Sequence, residues 1–192
     1  ELAALLEEAE FPPGVVNVVT GYGHEIGAAM VGDPRIAKVS FTGGEVGGRA
    51  VAKLAAEHFH EVSLELGGKS PNIVFKDAEV GNAVNGITGG IFAATGQTCI
   101  AGSRLLVHHS IHDEVVERVI EASRHVRCGD PLDPATQMGP VATQAQYDKI
   151  LEHIAAAKSA GATCVLGGEP ATGGACGNGL FIPPTIFTDV TN

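Results

Sequence analysis

Two residues in this sequence stand where they can do chemistry. Cys99 lies in Gly96-Gln97-Thr98-Cys99-Ile100-Ala101-Gly102, a glycine-bounded loop between a predicted helix and a predicted strand. Free backbone amides in such a loop favour a thiolate and cradle an oxyanion. A lone cysteine there is more often structural, so the loop by itself leaves both roles open. Glu65 stands near the end of a predicted strand, in Glu65-Leu66-Gly67-Gly68. Glycine lets backbone come close to a ligand, which suits a general base, although a surface or capping glutamate fits the same residues.

Two glycine-rich turns can hold an anion. Gly21-x-Gly23-x-x-x-Gly27 resembles a dinucleotide fingerprint with one extra residue, and a plain turn explains it equally well. Phe41-Thr42-Gly43-Gly44-Glu45-Val46-Gly47-Gly48 runs from a strand into a helix. The first amides of that helix and its dipole suit a phosphate, with Thr42 as the expected N-cap.

The elements that must position these groups alternate. A helix over 1–10 stops at Pro12-Pro13-Gly14, and Val15 to Val19 reads as a buried strand. A helix over 25–31, a strand over 36–41, a helix over 45–58 and a strand over 62–66 follow. A new unit begins near Gly67-Gly68: a strand over 72–75, a helix over 80–94, the Cys99 loop, a strand over 104–107 and a helix over 111–124. Residues 129–140, rich in Pro, Asp and Gly, read as a long loop. A helix over 144–159 and a strand over 163–166 come next. Residues 167–179 read as loop, and 181–187 as extended chain. Short connections between alternating strands and helices predict an α/β fold with parallel sheet layers and flanking helices.

Composition narrows the function classes. Apolar residues at 44% and charged residues at 18% describe a folded globular chain rather than a disordered one. A formal net charge of −10 disfavours nucleic acid and anionic membrane as partners. No apolar run reaches the ~20 residues of a membrane helix, and no secretory signal opens the chain. The cysteines Cys99, Cys128, Cys164 and Cys176 form no C-x-x-C pair, so neither a disulfide framework nor a metal site is expected. A reducing cytoplasm is the default compartment. Cys128 and Cys164 read as small buried hydrophobes and Cys176 as incidental. Glu1 opens the sequence without methionine and Asp189-Val190-Thr191-Asn192 closes it abruptly, so both ends read as cuts.

Taken together and in order, these motifs resemble the aldehyde dehydrogenase superfamily. Glu65-Leu66-Gly67-Gly68-Lys69-Ser70-Pro71-Asn72 matches its glutamate signature, and Phe92 through Ser103 matches its cysteine signature. The separation of 34 positions between Glu65 and Cys99 suits the family. Gly129-Asp130-Pro131-Leu132-Asp133, Thr136-Gln137-Met138-Gly139-Pro140 and Pro184-Thr185-Ile186-Phe187 match further family segments. The resemblance covers the whole chain.

It implies an aldehyde-dehydrogenase-like α/β fold, incomplete at both ends. Residues 1–65 would be the C-terminal part of an NAD(P)-binding Rossmann-like domain. Residues 66–192 would be the N-terminal part of the thiol-bearing catalytic domain. Cys99 would be the nucleophile towards a small-molecule aldehyde, passing through a thiohemiacetal to a thioester. Glu65 would be the general base that hydrolyses it. NAD or NADP would take the hydride: Gly23 on the adenine side, Phe41, Thr42, Gly43, Gly44, Glu45, Val46, Gly47 and Gly48 at the pyrophosphate, Leu66 and Gly67 at the nicotinamide. The parent would be a homo-oligomer. Gly44-Glu45 departs from the hydroxyl-bearing pair usual in the family, so backbone amides must meet the phosphates. The family's oxyanion-hole asparagine and ribose anchors lie outside these residues, which implies that the isolated chain is inactive. A semialdehyde or coenzyme-A-acylating dehydrogenase is the alternative, and Glu65 argues against acylation. A non-catalytic relative is the alternative from another class.

Overall fold

The computed structural model of the chain describes residues 1–191; Asn192, last of the closing segment noted above, lies outside them. The chain divides into two compact units, Glu1–Leu66 and the residues from Gly67 onward.

In the first unit, helix α1 (Leu2–Glu8) precedes a π-helical turn, Gly23–Gly27, that runs directly into α2 (Ala28–Val31). Strand β1 (Lys38–Gly43), helix α3 (Glu45–Glu57) and strand β2 (Glu61–Leu66) form a right-sized crossover, with β1 and β2 parallel. The N-cap of α3 is Gly44, with no side-chain capping bond. Thr42 therefore does not cap α3 as expected; it belongs to β1, opposite Glu65. The expected strand at Val15 to Val19 is also absent. Those residues have no regular structure, and Val15, Val16, Val18 and Val19 are exposed. A strand needs a partner for its backbone groups, and among the described residues β1 pairs only with β2.

The second unit opens with β3 (Pro71–Val74), α4 (Val80–Phe92), β4 (Arg104–Val107) and α5 (His112–Arg124), with β3 and β4 parallel. Its core is Val74, Val84, Ile87, Val115 and Val119, where α4 and α5 meet the strands. Glu79 starts α4: its carboxylate accepts from the amides of Gly81 at 3.0 Å and Asn82 at 2.6 Å. Those bonds, the Asn82 one first, hold the Glu79 carboxyl below the usual range. Its help to α4 is thus present above the ordinary glutamate range and fades as acid protonates it.

Beyond α5 the long loop is pinned by a bridge between Cys128 and Met138. Helix α6 (Gln144–Ser159) is capped by Thr143, whose hydroxyl accepts from the Gln146 amide at 3.2 Å. Its buried Ile154 packs with Val141 and Ile182. Strand β5 (Thr163–Leu166) pairs antiparallel with β8 (Ile186–Thr188). The segment expected to be loop contains a hairpin, β6 (Ala171–Gly173) and β7 (Gly177–Phe181). Glycine at nearly every other position hid it, because the residues that normally mark strands are missing.

Val115 is fully buried at the centre of the core. Val115→Ala is expected to cost about 2 kcal/mol through lost contacts and a residual cavity. Thr143→Ala is expected to cost about 1 kcal/mol, the worth of an exposed cap. Urea unfolding followed by circular dichroism checks both, and equal midpoints for the two variants would contradict the core assignment.

Candidate functional site

In the first unit, the β1–β2 pair presents one prepared edge. Parallel pairing puts the carboxyl ends of both strands together, where open α/β sheets bind ligands. Thr42 sits across from Glu65 and Gly43 from Leu66. Glu65 is exposed. Helix α3 begins at the same end, so its first amides and positive dipole face that edge. Glu45, in the first turn, pairs with Arg49 at 2.7 Å, which offsets the negative charge it would otherwise present to an anion.

The glycines of this edge divide into two groups. A Cβ on Gly43 or Gly47 would lie 2.6 or 2.8 Å from Phe41 Cζ, and one on Gly48 2.6 Å from Leu66 Cδ2. These glycines make room for the Phe41 ring and the Leu66 side chain. Around Gly44, Gly23 and Gly67 nothing lies within 4 Å of such a Cβ, so their backbones face open space. Gly44 is followed by exposed Glu45 and exposed Val46, so the open part of the edge is Gly44 to Val46. Backbone amides with no side chain in front of them fit a phosphate-bearing cofactor there. Gly23 lies apart in sequence, in the π-helical turn.

In the second unit, the Cys99 loop follows a reversal at the end of α4. Ala94 (φ 49°), Thr95 (φ 60°) and Gly96 (φ 71°) take left-handed conformations in succession. This is rare for alanine and more so for β-branched threonine. The Thr95 hydroxyl donates to the Gly139 carbonyl at 3.1 Å. The Gln97 amide donates through Nε2 to Ala94 O at 3.2 Å, and its Oε1 accepts from the Ala142 amide at 3.0 Å. A turn from Thr98 O to Ala101 N, 3.0 Å, then carries Cys99 and Ile100 at its apex. Gly68 borders this loop: a Cβ there would lie 3.5 Å from Cys99 O. Arg104 Nε donates to Lys69 O at 2.9 Å, tying the strand after the loop to the segment after Gly68. The contributions of Thr95 and Gln97 were not visible in the sequence. The left-handed triplet has no compositional signal beyond Gly96, and the tether partners are 44 and 45 residues away.

Cys99 is exposed, whereas Cys128, Cys164 and Cys176 are each half-buried. Burial, with the nearby Cys176 thiol as a lesser cause, pushes the Cys128 thiol up. Among the described residues no group of three or more His, Cys, Asp or Glu side chains could hold a metal ion. No helix there is long and apolar enough to cross a membrane.

The chain belongs to the Aldehyde dehydrogenase family, whose profile it matches over residues 1–192. It is similar to a betaine aldehyde dehydrogenase of Brucella anthropi, 47% identical over 191 residues, covering 100% of this chain and 39% of the relative. A betaine aldehyde dehydrogenase of Mesorhizobium japonicum is 45% identical over the same shares. Among solved structures, the NAD+ complex of an aldehyde dehydrogenase from Bacillus cereus superposes with a TM-score of 0.94 at 44% identity, over 98% of this chain and 38% of that one. A betaine aldehyde dehydrogenase of Staphylococcus aureus in complex with NAD+ gives 0.94 at 38% identity, over 99% of this chain and 38% of that one. The chain thus spans about two fifths of the length of these relatives.

The thiol environments predict an order of modification. Limited iodoacetamide followed by peptide mass mapping should find Cys99 labelled first. Cys128 should label last, and its rate should climb only at a pH above that needed by an ordinary thiol, since its folded thiol holds its proton longer. Equal labelling of all four thiols at neutral pH would contradict these environments.

Proposed function

We propose that the protein carrying this chain oxidises an aldehyde to a carboxylic acid with NAD as hydride acceptor, using Cys99 as nucleophile and Glu65 as general base. The observation that carries this reading is the setting of Cys99. It is the exposed thiol of the four and sits directly after a left-handed reversal held by two side-chain tethers. Strain of that kind persists where the surroundings over-determine it, and it gathers at active sites.

In this reading residues 1–65 supply cofactor contacts and 66–192 supply the thiol. The Cys99 thiol gives up its proton to solvent, and its sulfur adds to the aldehyde carbon, forming a C–S bond and placing the carbonyl electrons on oxygen. The Cys99 backbone amide is the expected donor to that oxyanion. A bound nicotinamide supplies an acceptor for the hydride that leaves the same carbon. Glu65 takes a proton from water as its oxygen attacks the resulting Cys99 thioester. The C–S bond then breaks, and the thiol is regenerated with the free acid. The Gly44, Glu45 and Val46 amides would meet the pyrophosphate, with Phe41, Thr42, Gly43, Gly47 and Gly48 shaping that edge. Leu66 and Gly67 would lie at the nicotinamide, and Gly23 on the adenine side. NAD is preferred to NADP because the similar solved structures are NAD+ complexes. A reducing cytoplasm suits a free exposed thiol. The parent would act as a homo-oligomer, and these residues alone would be inactive.

The test follows cofactor reduction by the full-length protein with a panel of aldehydes. Betaine aldehyde, for which the relatives are named, heads the panel, with and without coenzyme A. Cys99→Ala should abolish turnover, by at least about 10³-fold. Glu65→Gln should give a burst near one reduced cofactor per site and then a steady rate about 10²-fold or more below wild type. Turnover only with coenzyme A would replace hydrolysis by acyl transfer and leave Glu65 without its role. Bound cofactor with no turnover of any aldehyde would favour a non-catalytic relative.

A further inference from the structure

The Cys99 loop is fixed by more than its own turn. Its reversal includes two non-glycine residues at positive φ, Ala94 and Thr95, a conformation that a free loop would leave. Two side chains oppose that release, and both reach the same short segment at the end of the long loop. Thr95 Oγ1 donates to Gly139 O at 3.1 Å, and Gln97 Oε1 accepts from Ala142 N at 3.0 Å. The other end of the Gln97 amide closes on Ala94 O at 3.2 Å, so one side chain joins the reversal to residue 142. The receiving segment is itself anchored. The Val141 amide donates to Leu180 O at 2.8 Å, and the Val141 side chain is buried with Ile154 and Ile182. A loop with an exposed apex is therefore fastened to a packed part of its own unit at two points bracketing Gly96.

We infer that Thr95 and Gln97 are positioning residues for Cys99, holding its loop against the Gly139–Ala142 segment so that the thiol keeps its reactive place. The inference rests on the proposed role of Cys99. Neither side chain touches the sulfur, and their effect passes through the backbone of residues 94–99. Displacement of a nucleophile by about 1 Å is enough to cost about 10²-fold in rate. The loss should appear in kcat, because the groups that bind cofactor and aldehyde are left in place.

The test uses the full-length protein and three variants. Thr95→Val and Gln97→Met keep shape and remove the hydrogen bonds, whereas Thr95→Ser keeps the hydroxyl. Steady-state kinetics and amide hydrogen exchange are measured on each. T95V and Q97M are expected to lower kcat about 10- to 100-fold, with KM for aldehyde and cofactor within about threefold of wild type. T95S should recover most of the loss seen in T95V. Peptides covering 93–103 and 139–143 should exchange faster in T95V and Q97M, with α5 peptides unchanged. Faster exchange at wild-type kcat would overturn the positioning role. Unchanged exchange in both segments would overturn the tether itself. If the wild-type protein oxidises no aldehyde, the functional reading falls instead, and the exchange data still decide whether the tether exists.

Discussion

The backbone reversal after α4 is the constraint on which the second unit's site depends. The helix runs over 80–92 with its buried side on the core, and the chain must then turn back to enter β4 beside β3. It does so through three left-handed residues, of which only Gly96 adopts that conformation freely. The other two cost of order 1–2 kcal/mol each. Three side-chain hydrogen bonds from Thr95 and Gln97, at about 1 kcal/mol net apiece, offset a cost of that size. Two of these three bonds reach partners 44 and 45 residues away, so the reversal is fastened to a distant part of its unit.

A different economy governs the β1–α3 edge. Three of its glycines are used inward, because Phe41 and Leu66 occupy the space where side chains would be. Packing Phe41 over Gly43 and Gly47 ties the strand to the first turn of the helix. That fixes where the helix amides point. Gly44, facing open space, is then free to leave those amides uncovered. Inward and outward glycines thus have complementary parts: one set makes the edge rigid and the other keeps it open. A substitution at Gly43 would act through packing, and one at Gly44 through access.

Much of this was legible in the residues, and the failures have physical causes. Strand β4 and helix α6 fall at the ranges expected from the sequence, 104–107 and 144–159. Strands β1 and β2 alternate apolar and polar residues and lead into glycines. The Val15–Val19 run has strong β-branched propensity and forms no strand, because propensity cannot supply a neighbour to pair with. The β6–β7 hairpin is the converse: pairing makes strands from a glycine-rich segment with little propensity. Glu79 as a cap went unread because glutamate is not among the residues that mark a helix start. The proposed roles of Cys99 and Glu65 come from the motifs in which they lie. Thr95 and Gln97 lay inside the same motif, but their partners are set by tertiary structure.

Exposure separates the cysteines in a way that sequence alone could not. All four share one side-chain chemistry, and three of them are half-buried. Cys128 is the clearest case, since burial favours its neutral thiol over the nucleophilic thiolate. Cys99 has the opposite setting, on the apex of a turn with exposed Ile100 beside it. In the proposed reaction a thioester on Cys99 must be released before the thiol can act again. Release to water needs a group that accepts a proton beside a ligand. An exposed carboxylate at the end of a parallel strand, opposite Thr42 and next to an open helix N-terminus, is suited to that task. The proposed hydrolytic role of Glu65 rests on the motif in which it lies and on its exposure at the end of β2.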